Sequence, residues 1–255
     1  MALHPTAQIH PSAQLPDDVE VGAFTLIGSN VIIGHRCKIG HHVVVHDGSV
    51  IGDNVRVDDH AVIGKTPMRA KRSETTTFEP LPSAVVGHDS IVGTGAIVYA
   101  GCSVGSAVLL ADYATLREHV DIGDETIVGR GVAVENDCSI GARCKLETNA
   151  YICAYTTIGN DVFVAPGVLT SNDNYLGRTE ERKKHFGGPV IESAARVGVG
   201  AVILPGKRIS SEAVVAAGAV LTRDAEEQRI HQGVPARAGR EVPQEQLLSS
   251  SSRDQ

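Results

Sequence analysis

Charged side chains recur at an 18-residue spacing in the middle of the chain, at positions where other segments carry glycine. Arg117 and Glu135 are such a pair, and Glu118 and Asn136 directly follow them. A carboxylate can receive a proton, and an amide can hydrogen-bond a sugar hydroxyl or a carbonyl. The pattern predicts a polar substrate site. The alternative is an arginine–glutamate ladder that only solvates the surface.

A second polar group lies in the sequence LETNAY. Glu147 is a candidate to anchor a hydroxyl or to receive a proton, and Asn149 is a candidate substrate contact. We predict that Asn136 and Glu147 position the reactants, with His119 as an alternative base. For each residue the alternative is a hydrogen bond within a chain corner, which short polar side chains commonly make.

Two polar segments, residues 65–85 and 170–190, carry further candidates. The first begins KTPMRAKR, with four cations in eight residues, which would suit a pyrophosphate. The second ends in a basic stretch that includes Arg182, a candidate phosphate contact. A solvated loop is the alternative for the first. The candidate substrate contacts in the two segments are Lys65, Met68, Arg69, Asn172, Asp173 and Asn174.

An aliphatic residue returns at every sixth position through most of the chain, and this repeat must position the polar side chains. The run Ile27, Ile33 and Ile39 is typical, and the register resumes at Val86 and again at Ile191. A period of six fits neither a helix nor an alternating strand, but it fits a parallel β-helix. Three hexads form one triangular coil, so residues 18 apart stack about 4.8 Å apart.

We therefore predict an all-β protein, a hexapeptide-repeat solenoid of roughly ten coils. A single β-helix domain spans 1–221, and the segments 65–85 and 170–190 form loops that project from it. Residues 222–255 are predicted to form a C-terminal cap and a flexible tail.

The cysteines fit the same repeat. Four of them occupy the fifth hexad position, where small residues stand elsewhere, so we interpret them as small core residues. These four are Cys37, Cys102, Cys138 and Cys144. Cys153 directly follows an aliphatic position and is expected to be exposed. We predict no disulfides.

Composition excludes several functions for this 255-residue chain. A net charge of −7 argues against a nucleic-acid partner. No apolar run has the length of a membrane span, and the N-terminus lacks the features of a signal peptide. These features predict a cytoplasmic protein without a membrane partner.

The repeat resembles that of the hexapeptide-repeat acyltransferases. This resemblance implies a left-handed parallel β-helix, although crossover rules alone would favour the right hand. It also implies a homotrimer, active sites in the grooves between neighbouring subunits, and acyl-coenzyme A, most often acetyl-coenzyme A, as the donor.

Local stretches narrow the resemblance. HPTAQIHPSA and IGHHVVVHDGSVIGDN are similar to the sugar-nucleotide O-acyltransferase of lipid A synthesis. TLREHVDIGDETIVGRGVAVENDCSIGARCKLETNAYICAYTTIG and APGVLTSNDNYLGRTEER resemble the N-acyltransferases of nucleotide-linked amino-deoxysugars. VGVGAVILPGKRI and GVPAR resemble the coenzyme A end of such enzymes. The implied coenzyme A contacts are Arg182, Gly198, Gly200, Ala201, Lys207, Ala217, Gly218 and Arg237.

One position departs from the family pattern. Related acyltransferases carry a His–Asp–Cys run whose histidine is the general base, and here Asn136 stands in the place of that histidine. An amide cannot accept a proton at neutral pH. A neutral amine held against a thioester can react mainly through proximity, and the departing thiolate can take up the proton. The departure therefore favours an amine acceptor.

Histidines raise a metal-dependent alternative. The γ-class carbonic anhydrases share the fold and bind a metal through three histidines, and His41 and His46 match the spacing of two of these. The third candidate, His10, lies two coils away, about 9.6 Å, which is too far for joint ligation. We predict no metal.

These arguments predict an N-acyltransferase, most simply an N-acetyltransferase, that acts on the amine of a dTDP- or UDP-linked amino-deoxysugar. The alternatives are an O-acyltransferase on a sugar nucleotide and a non-catalytic solenoid that binds sugar nucleotides.

Overall fold

The computed structural model describes residues 2–71, 73, 76 and 79–248. Its regular structure consists of short strands, most of them two residues long, one in each hexad. In most of the two-residue strands the first residue points outward and the second, usually Val, Ile or Leu, points inward. The strands stack into three sheets, which we call faces A, B and C.

Face A has 13 strands, and its last pair is antiparallel. Its strands are β1 Ala2–Leu3, β3 Glu20–Val21, β6 Lys38–Ile39, β9 Arg56–Val57, β12 Ile91–Val92, β15 Leu109–Leu110, β18 Ile127–Val128, β21 Lys145–Leu146, β24 Phe163–Val164, β27 Arg196–Val197, β30 Val214–Val215, β32 Arg229–Gln232 and β33 Arg237–Glu241.

Face B has 11 parallel strands. They are β2 Gln8–Ile9, β4 Leu26–Ile27, β7 Val44–Val45, β10 Val62–Lys65, β13 Ile97–Tyr99, β16 Thr115–Leu116, β19 Ala133–Val134, β22 Tyr151–Ile152, β25 Leu169–Thr170, β28 Val202–Ile203 and β31 Val220–Leu221.

Face C has nine parallel strands. They are β5 Ile32–Ile33, β8 Val50–Ile51, β11 Val85–Val86, β14 Ser103–Val104, β17 Val120–Ile122, β20 Cys138–Ile140, β23 Thr157–Ile158, β26 Val190–Ile191 and β29 Arg208–Ile209. Two short 3-10 helices, Glu181–Lys184 and Gln244–Gln246, lie outside the sheets.

Pairing follows the predicted register. Leu116 pairs with Val98 on one side and with Val134 on the other, a spacing of 18 residues in each direction. The fold prediction is confirmed, but about 12 coils are present rather than ten. The aliphatic pattern undercounts the coils because some inward strand positions hold polar residues. Thr170 pairs with Ile203, and His231 pairs with Val215.

The core is a narrow column of aliphatic side chains between the three faces. Ile63, Leu116 and Ile152 are completely buried. All five cysteines are free and buried, as expected for Cys37, Cys102, Cys138 and Cys144. The expectation for Cys153 was wrong, since it is only 2% exposed. Thr170 from the next coil covers this corner, and its Oγ1 accepts a hydrogen bond from the Cys153 N–H at 2.7 Å.

Three corners join the faces. The C–A corner carries glycines, and at Gly123 a β-carbon would lie only 2.5 Å from the backbone nitrogen of Ala142 on the next coil. Both departures from the repeat occur at the B–C corner. Residues 66–84, the first insert, connect β10 to β11, and residues 171–189, the second insert, connect β25 to β26.

The C-terminal end of the stack is covered by a hairpin. Strand β32 continues face A in parallel beside β30, and β33 returns antiparallel to it. Leu247 then packs back with 4% of its surface exposed. The predicted tail beyond residue 248 lies outside the described residues. In the part of the chain that is described, no helix has the length and apolar character to cross a membrane.

Candidate functional site

The B–C corner between the two inserts holds the polar residues that the 18-residue spacing predicts to stack. Tyr99 is the last residue of β13, and Arg117 and Glu135 directly follow β16 and β19, so the three side chains form one column. Glu118 and Asn136 stand beside this column at the next position along the chain. The first insert leaves the β-helix one coil before Tyr99, and the second leaves it after the coil of β25, so the two inserts lie on either side of this corner along the stack.

Arg117 organises the column. Its guanidinium donates to both carboxylate oxygens of Glu118, at 2.9 and 3.1 Å, and reaches Glu135 at 3.4 Å. It also donates to Oγ1 of Thr76 in the first insert at 3.0 Å, and its plane lies 5.2 Å from the centre of the Tyr99 ring. The arginine therefore ties three coils and the insert together.

Burial and charge act in opposite directions on Glu118, which is 3% exposed. Burial tends to raise the pKa of its carboxyl. The hydrogen bonds and charge of Arg117, together with a hydrogen bond from Thr76, lower this pKa by more than burial raises it, so it lies below its usual value. Glu118 is therefore an ionised, internally neutralised group. It holds Arg117 in place.

Glu135 and Asn136 differ in what they offer a ligand. Asn136 is 1% exposed, and its amide donates to the neighbouring Asp137 carboxylate at 2.5 Å. The Glu135 side chain is 28% exposed, and its contact with Arg117 is long. Its negative charge contributes, after burial, to raising the pKa of Tyr151 to about 12. Glu135 is the carboxylate of this column that can meet a substrate amine or hydroxyl.

The lower end of the column lies at Lys65, the last residue of β10, where the first insert begins. Nζ of Lys65 lies 5.4 Å from the centre of the Tyr99 ring, on which Arg117 also packs. Met68 is 68% exposed and Arg69 is exposed as well. The fourth cation of the predicted basic run, Arg72, lies outside the described residues.

The second insert is held by its own ion pair. Asp173 accepts hydrogen bonds from the N–H groups of Tyr175 and Gly177 and contacts Arg182 at 3.4 Å. Arg182 also stacks on Phe186, 5.3 Å from its ring centre. Asn172 is half-buried at the base of this insert and Asn174 is exposed at its rim. Asp173 and Arg182 therefore shape the loop, whereas Asn172 and Asn174 border the corner.

Glu147 and Asn149 do not join this cluster within one chain. They follow β21 on face A, so they lie at the A–B corner, across face B from Asn136. Glu147 is half-buried, and Asn149 is exposed with a positive φ of 60° that the corner requires. His119 is exposed at the B–C corner with φ 57°.

The predicted coenzyme A residues divide between two corners and the core. Gly198, Gly200, Ala217 and Gly218 lie at the A–B corner of the last coils, and open space surrounds the α-carbons of Gly200 and Gly218. Glycine backbone in open space permits close approach of a ligand, and the coenzyme A assignment stays a prediction. Ala201 is completely buried, so its side chain belongs to the core and not to that surface.

The predicted phosphate contacts of the donor are more scattered. Lys207 is half-buried at the B–C corner, one coil beyond the second insert. Arg237 is exposed on β33, and its guanidinium donates to the carbonyl of Ala236 at 2.9 Å.

The metal alternative has no geometric support among the described residues, where no three His, Cys, Asp or Glu side chains converge. The His41 ring instead accepts a hydrogen bond from the Ala23 N–H at 2.8 Å. His46 faces a cavity under the first insert. These histidines therefore have structural surroundings of their own.

Sequence reasoning missed two features of the site. Thr76 is 6% exposed and joins the insert to Arg117, yet nothing in the local sequence distinguishes it from its neighbours. The cavity of about 490 Å³ under the first insert was also missed. The signal that could have indicated it is that both inserts interrupt the repeat at the same corner.

Several solved structures that resemble the chain are acyltransferases. The UDP-N-acetylglucosamine acyltransferase of Arabidopsis aligns with a TM-score of 0.59 and 20% identity, over 94% of this chain and 74% of that one. The Bacteroides fragilis enzyme of the same name gives 0.55 and 20%, with 94% and 74% covered. The Moraxella catarrhalis UDP-N-acetylglucosamine O-acyltransferase gives 0.51 and 18%, with 100% and 80% covered.

No protein-family model and no curated protein matches the sequence. At these identities, the likeness to solved structures establishes the fold: the chain is a left-handed parallel β-helix of the hexapeptide-repeat type.

Proposed function

We propose that this protein transfers an acyl group, most simply acetyl, from coenzyme A to the amine of a dTDP- or UDP-linked amino-deoxysugar. The observation that carries the proposal is the B–C corner. Two inserts bracket a short run of coils, and there the repeat gives way to a column of charged and amide side chains held together by Arg117. A solenoid that served only as a scaffold would not need this exchange of glycine for charge.

The side chains present suit an amine better than a hydroxyl. A hydroxyl must lose its proton as it attacks, which calls for a base. Asn136 cannot serve as one, since it is an amide. A neutral amine attacks the thioester carbonyl directly, the carbon–sulfur bond breaks, and the thiolate accepts the proton that the nitrogen loses. In this scheme Glu135 holds the amine, and Asn136 positions the reacting groups.

A homotrimer would complete the site. Eleven outward residues of face B form an uncharged stripe from one end of the helix to the other, whereas face A presents charges such as Lys38, Arg56 and Lys145. Three chains with face B toward a threefold axis would bring the A–B corner of one chain beside the B–C corner of the next. Glu147 of one subunit would then lie near Asn136 of its neighbour.

The same arrangement would bring the donor to the acceptor. The small residues of the late A–B corner, Gly200 and Gly218 among them, offer an open backbone surface for coenzyme A, with Lys207 and Arg237 as candidate phosphate contacts. Coenzyme A supplies the activated thioester when it is bound. The resemblance of the fold to UDP-N-acetylglucosamine acyltransferases supports a nucleotide-linked sugar as acceptor.

Thiol release from acetyl-coenzyme A, measured against a panel of dTDP- and UDP-linked amino sugars and their hydroxyl counterparts, tests the proposal. We expect turnover with an amine. Glu135→Gln should lower kcat/KM by about 100-fold, while Glu125→Gln, at the C–A corner, should leave it unchanged. Turnover of hydroxyl sugars alone would contradict the proposal.

O-acyl transfer to a sugar nucleotide is the second candidate. It draws on the exposed His119, one coil below Asp137 at the same corner, and on the O-acyltransferase fold of Moraxella catarrhalis. His119→Ala separates the two: it should abolish transfer to a hydroxyl and leave transfer to an amine within a few-fold of the original rate.

A further inference from the structure

The cavity under the first insert lies directly beside the polar column and has no assigned role. It encloses about 490 Å³ between the corner at His46 and Asp47 and the two arms of the insert. The insert is fixed over it at two points, since Pro82 accepts a hydrogen bond from the Gly101 N–H at 2.8 Å and Thr76 binds Arg117. The cavity is therefore a built feature of the corner and not a gap beneath a loose loop.

The lining indicates the chemistry of its ligand. The cation Arg69 and two carboxylates, Asp47 and Glu79, line the cavity, and the run Pro80–Pro82 adds apolar lining. Two carboxylates make this a poor pocket for a phosphate group. A flat, neutral ring that carries both N–H donors and carbonyl acceptors suits it better, because carboxylates accept from N–H groups while proline and leucine cover the ring face.

The position of the cavity relates it to the proposed reaction site. Ala100 lines the cavity, and the preceding residue, Tyr99, carries Lys65 and Arg117 over its ring. Asn136 stands three coils above Lys65, which corresponds to roughly 14 Å at the spacing of strands. A pyrophosphate-linked sugar extended along the corner would cover that distance, with its phosphates near Lys65.

We propose that this cavity binds the nucleobase and ribose of the sugar nucleotide, so that the pyrophosphate passes Lys65 and the amino sugar reaches Glu135 and Asn136. This inference rests on the proposed function and deepens it. It makes the first insert the element that selects the nucleotide.

Filling the cavity tests the inference. Thr66→Trp and Leu81→Trp enter it from opposite arms of the insert, and Ala70→Trp adds the same bulk to the insert away from the cavity. Calorimetric titration with UDP and with dTDP should show at least about tenfold weaker binding for both filling variants. Ala70→Trp should bind like the original protein, and coenzyme A affinity should be unchanged in all three. Two separate filling positions guard against misfolding at one of them.

The outcomes separate the two proposals. If the original protein binds UDP or dTDP and both filling variants bind it equally well, the cavity is not the nucleotide site, whereas acyl transfer stands. If nucleotide binding is lost on filling but no amino sugar elicits thiol release, the cavity assignment holds and the acyltransferase proposal falls. If the original protein binds neither nucleotide, both are overturned.

Discussion

The charge of Arg117 is neutralised by carboxylates of the protein itself. Its donors are directed to Glu118, Glu135 and Thr76, and its flat face lies on Tyr99. Such an arginine is a positioning residue, since it fixes the carboxylate that faces the substrate and the insert that borders the site. Lysine could not replace it, because an ammonium group lacks the planar fork that reaches several acceptors at once.

Removing Arg117 should therefore reverse the pH dependence of stability near Glu118. In the original protein the folded-state pKa of Glu118 is lowered, so its contribution to stability is present above about pH 4.3 and is lost as the pH falls through the folded-state pKa. In Arg117→Met the hydrogen bonds and the charge of the arginine are gone, so burial, the largest single influence, outweighs the remaining hydrogen bonds from Thr76 and the backbone and raises the pKa of Glu118. The variant is then most stable in acid and loses stability as the pH rises.

Thermal melts between pH 4 and pH 7 would reveal this reversal. At neutral pH we expect Arg117→Met to lose about 3–5 kcal/mol, because it leaves a buried carboxylate without its partner. Adding Glu118→Gln should recover most of the loss. Arg143→Met, which breaks the exposed pair with Asp161, should cost about 1 kcal/mol or less. Equal losses of stability for the two arginine variants would show that the buried Arg117–Glu118 pair stabilises the protein no more than the more exposed Arg143–Asp161 pair.

The cysteines yield a second prediction at this scale. Burial raises the pKa of the Cys102 and Cys138 thiols to about 12, and it also raises the pKa of Cys37, Cys144 and Cys153. Thiolates are the reactive form, and these remain thiols at pH 8. Ellman's reagent should label none of the five cysteines in the native protein and all five in guanidinium. One fast-reacting native thiol would contradict the burial of Cys153.

Each coil depends on how closely it approaches the next. At the C–A corner, Gly123 leaves no room for a β-carbon, since the backbone of Gly141 and Ala142 lies within 2.6 Å of that point. Backbone on an adjacent coil cannot swing aside as a side chain can. The glycine column of this corner is therefore a packing requirement, whereas the charged B–C corner tolerates large residues.

This distinction predicts the outcome of two glycine substitutions. Gly123→Ala should cost about 3 kcal/mol through overpacking. Gly167→Ala, where φ is +66° and no atom lies within 4 Å, should cost only about 1 kcal/mol for the left-handed backbone. Urea denaturation measures both. A larger loss at Gly167 than at Gly123 would show that backbone conformation, and not coil contact, limits the stack.

At the scale of the molecule, the hexad period was enough to predict the β-helix, its register and the burial of four cysteines. It worked because the same positions of each hexad, the strand aliphatic and the small fifth residue, must point inward in every coil, whatever the function. It failed where polar residues such as Thr170 and His231 enter the strands. Cys153 was misplaced for the same reason, since its surroundings depend on Thr170 from the following coil.

The candidate site was less predictable than the fold. The stacking of Arg117 beneath Glu135 followed from spacing alone, and the structure contains that contact. The contact with Thr76 and the cavity beside it depend on how an insert without periodicity folds back. Glu147 and Asn136 were grouped because their hexads fall on adjacent faces of the repeat. The turn of the coil separates them to opposite edges of face B, and only a second subunit would reunite them.

Two aromatic residues with equal exposure provide the sharpest test of that assembly. Tyr151 on face B and Phe163 on face A are each 38% exposed. Each is the first, outward residue of its strand, β22 and β24, and the two strands are only two hexads apart. If face B lines a threefold axis, Tyr151→Glu places three carboxylates at the interface and should yield monomers by light scattering, with loss of thiol release. Phe163→Glu should remain trimeric and active, because face A already carries charges. If the Phe163 variant dissociates, or if the Tyr151 variant stays trimeric, the subunit interface is not on face B. Glu147 of a neighbouring subunit would then not lie near Asn136.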